Sequence, residues 1–269
     1  VPSENADPST VVAPNRRARK REARRDHLLD LAADLVDAHG VAGVTMAALA
    51  EAADYAPASL YTYFPSRSAL LADLQERALQ VLGRVAQRHL DAWDRHLDTA
   101  AVDGPGPEVA ALARLWAFSD TFLAAPTTHP REFRLQQQLL STPGMEDAAD
   151  AGRVLPTAML VLDVPRRLLA AAVDAGALRA GGALADPLGH PVDDALARTF
   201  AWVLALNGAL LADGLVTGLP APGAAIGTEL TAALLVGWGA DPVALADARR
   251  LADDLADHPT TDPTTEEHP

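Results

Sequence analysis

Apolar residues recur every three or four positions along most of the chain, and strict alternation is absent. That period describes helices with one buried face. In the first such segment Leu28, Leu31, Ala32, Leu35 and Val36 share a face, which predicts a helix from about Arg16 to His39. Gly40 and Gly43 mark its end and the following turn. Thr45 is placed to cap a short helix through Ala53, and a tight turn follows at 54–56. Pro57 suits the first position of a third short helix, which Pro65 stops. Ser66 can cap a fourth helix reaching about Asp98. Beyond a Gly/Pro loop at 99–107, punctuation by Gly, Pro and Asp separates helices near 108–125, 131–141, 152–178, 192–217, 223–238 and 242–257. The expected class is all-α, with no strand and no internal repeat.

Composition agrees with that reading. Alanine supplies much of the 49% hydrophobic content and aromatics only 4%, which favours helices because alanine loses no side-chain entropy in them. The absence of cysteine excludes disulfides, thiol catalysis and cysteine-ligated zinc. The start of the chain lacks an apolar signal core, and no apolar run approaches the roughly 20 residues that span a bilayer. The expectation is a cytoplasmic protein without a membrane partner. Residues 1–15 and 258–269, rich in Pro, Asp and small polar residues, read as disordered tails.

Charge changes the picture more. The net charge of −14 opposes a nucleic-acid partner at first sight. Its distribution does not. Residues 1–70 carry 8 basic and 9 acidic side chains, whereas the remainder carries 14 and 27. Within the first part, residues 16–25 (RRARKREARR) hold seven basic groups against Glu22 alone.

Two short helices joined by a three- or four-residue turn, behind a longer first helix, describe a helix-turn-helix. Ala50 and Ala53 are small where the two helices cross, and Leu49, Leu60 and Phe64 are apolar where the core must be. Such a motif lays its second helix in the major groove of DNA. Here that helix offers Pro57, Ala58, Ser59, Tyr61, Thr62 and Tyr63.

The stretch Val44–Leu71, VTMAALAEAADYAPASLYTYFPSRSALL, resembles the DNA-binding domain of the TetR-type bacterial regulators. Its most telling piece is Leu60-Tyr61-Thr62-Tyr63-Phe64, followed by Arg67 and Leu70, and the close resemblance covers about residues 24–75. It implies that Thr45, Tyr63 and Arg67 hold backbone phosphates. It also implies that Pro57, Ala58, Ser59 and Tyr61 face base edges, with Ala47 nearby. Asp54 stands where the family's turn carries Gly, and Ala56 replaces its usual polar cap. Pro57 and Ala58 donate no side-chain hydrogen bonds, so readout would rest on thymine methyl groups, Ser59 and DNA shape. Arg16, Arg17, Arg19 and Lys20 form a basic arm suited to phosphates or a minor groove.

The expected organisation is a tail (1–15), a helix-turn-helix domain (16–70), a helical ligand-binding and dimerisation domain (71–257) and a second tail (258–269). A two-fold, palindromic operator of double-stranded DNA calls for a homodimer. The apolar helices at 192–217 and 223–238 are the candidates for that contact, through Phe200, Leu204, Gly208 and Leu211. A small-molecule effector would sit among Trp116, Phe122, Phe133, Gln137, Met159 and Asn207, an apolar set with a few polar groups. The eight histidines make no ligand-like cluster, and no catalytic triad, metal or nucleotide motif is present, so neither metal, cofactor nor enzymatic activity is expected. The function expected is a ligand-responsive repressor. The alternative is a helical interaction protein with degraded DNA binding.

Overall fold

The structure, a computed structural model, describes residues 16–99, 104–141, 148–182, 184–185, 191–215 and 221–256. The two expected tails lie outside these residues. Among those described, the chain forms α1 (Arg16–Gly43), α2 (Met46–Ala52), α3 (Pro57–Leu60), α4 (Arg67–Thr99), α5 (Pro107–Thr128), α6 (Pro130–Ser141), α7 (Ala148–Asp174), α8 (Asp194–Leu215), α9 (Gly223–Gly237) and α10 (Pro242–Ala256). One departure from the all-helical expectation is a two-residue antiparallel clip of β1 (Leu184–Ala185) and β2 (Pro191–Val192). It is too short to produce an alternating pattern in the sequence.

The first helices form where capping chemistry permits. The Thr45 hydroxyl accepts a hydrogen bond from the Ala48 N–H at 3.0 Å, and Ser66 does the same for Ala69 at 3.0 Å. Gly40 adopts a positive φ of 69° and kinks α1, so that Val41 turns inward instead of continuing the helix face. Asp54 has φ 55°, the left-handed conformation expected for the turn. Pro57 opens α3, which has no side-chain cap because Ala56 precedes it. Only four residues of α3 are helical; single turns carry the backbone on through Phe64, whose N–H reaches the Leu60 carbonyl at 2.9 Å.

Leu28, Leu29, Ala32 and Val36 of α1, Leu49, Leu60, Phe64 and the first leucines of α4 close one core. Leu135 and Leu139 of α6 are buried in the same core, although about sixty residues of chain separate them from α4's first turns. α4 runs unbroken through residue 70, so a single helix serves both parts of the molecule.

A second core surrounds α5, which packs on α6, α7, α8, α9 and α10 and is apolar on nearly every side. Within it Ser119 and Thr231 share a hydrogen bond of 2.8 Å, and the Trp202 indole N–H donates to Thr231 at 3.0 Å, so these buried polar groups are satisfied. The expectation of no membrane-length apolar segment is corrected by α8. Asp194–Ala212 has a mean hydropathy of 1.5 and is long and apolar enough, by composition, to cross a membrane. The reason is local: one face of α8 packs Trp202 and Leu206 into the core, while Phe200 and Leu204 on the outer face are apolar as well.

Two measurements check this packing. Leu135→Ala is expected to lower unfolding stability by about 2–5 kcal/mol in urea, with accelerated amide exchange in α1, not only in α6. Asp54→Val is expected to cost about 1–2 kcal/mol because a branched side chain resists positive φ, whereas Asp54→Gly loses no stability.

Candidate nucleic-acid interface

Most of the residues that the sequence marks for DNA are exposed. Thr45, Ala47, Pro57, Ala58, Ser59, Tyr61 and Thr62 are exposed, and Tyr61 remains 53% accessible despite its size. Tyr63 is half-buried and packs its ring against the N-terminal core. The Thr45 oxygen already caps α2 by accepting a hydrogen bond, which leaves its proton able to donate outward. The Thr62 hydroxyl donates to the Ser59 carbonyl at 2.7 Å and so braces the turn.

Arg67 has a second occupation that the sequence does not reveal. Its Nε donates to the Val44 carbonyl at 2.6 Å and its Nη2 to the Val41 carbonyl at 2.7 Å. The guanidinium thereby ties the start of α4 to the turn between α1 and α2. Nη1 is the nitrogen for which those bonds leave an outward role.

The first two turns of α1 stand clear of the core, with Arg16, Arg17, Arg19 and Lys20 all exposed. Arg17, Lys20, Arg21 and Arg24 line a groove of about 370 Å³ whose other wall is Thr62 and Tyr63. Arg21 Nη2 donates to the Thr62 carbonyl at 2.9 Å and holds the two walls together. Arg21 and Arg24 are not among the basic-arm residues singled out in the sequence. The signal was their spacing of three, four and seven residues with Arg17 and Lys20, which puts all four on one helix face.

The domain is held against the rest by ion pairs. Arg25 meets the buried Asp73 carboxylate at 2.5 Å and stacks over Phe64, and Arg153 of α7 approaches the same carboxylate at 3.6 Å. Burial pushes the Asp73 carboxyl above the ordinary aspartate value, against the lowering effect of Arg25 and Arg153. The pairs therefore set geometry more than they add stability. On the other side, Asp30, Asp34 and Asp37 form an acidic stripe on α1. Arg77 of α4 reaches Asp30 at 2.6 Å, while Arg131 and Arg134 of α6 reach Asp34 at 2.8 Å and Asp37 at 3.1 Å.

The expected effector residues come together only in part. Phe122 meets Phe133 edge-to-face at 6.2 Å between centroids, and Gln137 donates to Asn207 at 2.6 Å. Phe118 joins them by packing against both Phe122 and Trp202. Trp116 does not. It lies on another face of α5, donates to the Leu245 carbonyl at 3.3 Å and is covered by Arg249. Met159 is half-buried on α7, between Ala158 and Val161, which pack on a separate cluster of Ala72, Leu79 and Val154. The sequence could not choose among faces of α5, because α5 is apolar all round. Phe200, Leu204, Gly208 and Leu211, the expected dimer residues, are all exposed and fall on one side of α8. Leu230 and Val236 of the neighbouring α9 are exposed with them.

Residues 28–74 match the family model of the bacterial regulatory proteins of the tetR family. Among solved structures, the chain is similar to SmeT, the repressor of the Stenotrophomonas maltophilia multidrug efflux pump SmeDEF, with a TM-score of 0.53 and 21% identity over 83% of this chain and 94% of that one. It is also similar to RolR in complex with resorcinol, with a TM-score of 0.51 and 21% identity over 87% and 95% of the two chains. FadR from Bacillus subtilis in complex with stearoyl-CoA gives a TM-score of 0.52 and 12% identity over 79% and 98%. At these identities the likeness is one of fold. A comparison with curated protein sequences finds no significant match. The helix-turn-helix geometry and the match over residues 28–74 together show that this chain carries the N-terminal domain of the tetR-family regulatory proteins, joined to a helical body of the fold those regulators share.

Proposed function

We propose that this protein is a transcriptional repressor that binds a palindromic operator as a homodimer and is released from it by a small-molecule effector. The observation that carries the reading is the groove in which the basic start of α1 meets Thr62 and Tyr63, at the end of the exposed α3 turn. Thr45, Tyr63 and the free edge of Arg67 would hold phosphates and set register, with Arg16, Arg17, Arg19 and Lys20 adding to the basic field. Pro57, Ala58, Ser59 and Tyr61, with Ala47 and Thr62 beside them, would meet the base edges. The exposed stripe of Phe200, Leu204, Gly208 and Leu211 is the contact expected for the second subunit, since Gly208 lets another helix approach closely. Effector binding fits the space framed by Phe122, Phe133, Gln137 and Asn207, an apolar surround with a polar pair.

Coupling between effector and DNA is supported by α6. Phe133 and Gln137 face the effector set, while Arg131, Arg134 and Leu135 on its opposite side grip the DNA-binding domain. A ligand that prefers one position of α6 would shift the population of DNA-competent dimers by its differential affinity for the two states. SmeT is described as a repressor, and RolR and FadR are seen with small molecules bound; the reading extends those roles to this chain by its shared fold.

Gel-shift titration with a duplex spanning the region upstream of the gene tests the interface. Tyr63→Phe is expected to weaken binding by about fivefold, roughly the 1 kcal/mol of one hydrogen bond, without changing thermal stability. Arg67→Ala is expected to weaken DNA binding and also to lower the melting temperature, because it frees two backbone carbonyls. Binding indifferent to both changes would displace the proposed phosphate contacts. Leu204→Glu is expected to give a monomer by light scattering, with operator affinity reduced to the level of a single domain. An intact dimer would move the subunit contact away from α8.

A further inference from the structure

We propose that the groove between the start of α1 and the end of the α3 turn is a preformed seat for the sugar-phosphate backbone of one DNA strand, beside the base-reading helix. The inference rests on the duplex-binding reading above. It adds which cations seat the strand directly. Arg17, Lys20, Arg21 and Arg24 face the groove, opposite Thr62 and Tyr63, and among the described residues no acidic side chain lines it. Arg19 lies on the far side of the same helix, and Arg16 at its edge.

The charge state of this face is unusual for the molecule. Arg25, the next cation along, is neutralised by Asp73 and Glu22, and many arginines of the body are paired, among them Arg114, Arg153, Arg166 and Arg249, while, among the described residues, exceptions such as Arg84 and Arg88 do not line a common groove with other cations. Arg17, Lys20 and Arg24 have no ion-pair partner among the described residues, in a chain with 36 acidic groups. Cations held side by side repel one another, and a polyanion relieves that repulsion while releasing its own counterions. The face spans about 10 Å from Arg17 to Arg24 at helical rise, a length over which one strand of duplex carries about three phosphates. Because the arm is already helical and Arg21 already ties it to Thr62 at 2.9 Å, little ordering is required when DNA arrives.

The test is the salt dependence of binding to a labelled 30-base-pair duplex of mixed sequence, between 50 and 200 mM salt. Removing two phosphate contacts is expected to make the affinity loss over that range about tenfold smaller, from a slope near −0.9 per contact. Arg17→Ala/Arg24→Ala is expected to show that shallower slope and weaker binding at low salt. Arg17→Gln/Arg24→Gln, with unaltered helicity by circular dichroism, is expected to match it. The distant control Arg84→Ala is expected to keep the wild-type slope. A wild-type slope in both double variants would overturn the seat while leaving the duplex-binding reading in place. An equal loss in Arg84→Ala would also overturn it, since net charge alone would then explain the effect. Failure of the wild-type protein to bind either this duplex or its own upstream region would overturn both readings.

Discussion

Two leucines of α6 are buried among the helices of a domain to which their own segment does not belong by chain order. The arrangement of the whole molecule depends on that contact. The N-terminal helices bury Leu28, Leu49, Leu60, Phe64 and the first leucines of α4, yet a unit of about fifty residues is marginal by itself. Leu135 and Leu139 supply part of the missing apolar surface, so the small domain is completed by the large one. The ion pairs of Arg131 and Arg134 with the acidic stripe of α1 are exposed and individually weak. Their effect is directional: they select one register of α6 along α1 out of those the leucines alone would tolerate. Asp73 performs the corresponding task on the opposite flank, where one buried carboxylate is shared by helices from both parts.

Charge is organised by the same division. Across the body, arginines meet aspartates at short range, often one helical turn apart, as with Arg166 and Asp163 at 2.6 Å or Arg249 and Asp253 at 2.8 Å. The result is a surface whose excess of acid would repel a nucleic acid. Among the described residues the start of α1 breaks the pattern, and it does so beside the turn that follows α3. Net charge alone is thus a poor guide to partner here, while pairing, residue by residue, is a good one.

The N-terminal domain was largely legible in the sequence because its determinants are local. Thr45 and Ser66 cap the helices that follow them, Pro57 opens α3, and Asp54 takes the left-handed turn that Gly usually provides. Each of these can be read within four residues. What was not legible depends on distant partners. The second role of Arg67, its hold on the carbonyls of Val41 and Val44, is announced by nothing nearby in the sequence. Trp116 looked like a pocket wall because α5 is apolar on every side, and only α10 decides which way that ring points. The grip of α6 on α1 joins residues about a hundred positions apart, and no periodicity records it.

The shared core has a consequence for modular engineering. Regulators of this architecture invite grafting, in which one protein's DNA-reading helices are fused to another's sensing body. A splice placed in α4 near residue 70, where the sequence suggests a boundary, would part Leu135 and Leu139 from their pocket, Arg25 from Asp73, and Arg131 and Arg134 from their aspartates. The transplantable unit is therefore discontinuous: α1 to the first half of α4 together with the face of α6 that packs on α1. The body of a hybrid has to be chosen first for a compatible sixth helix.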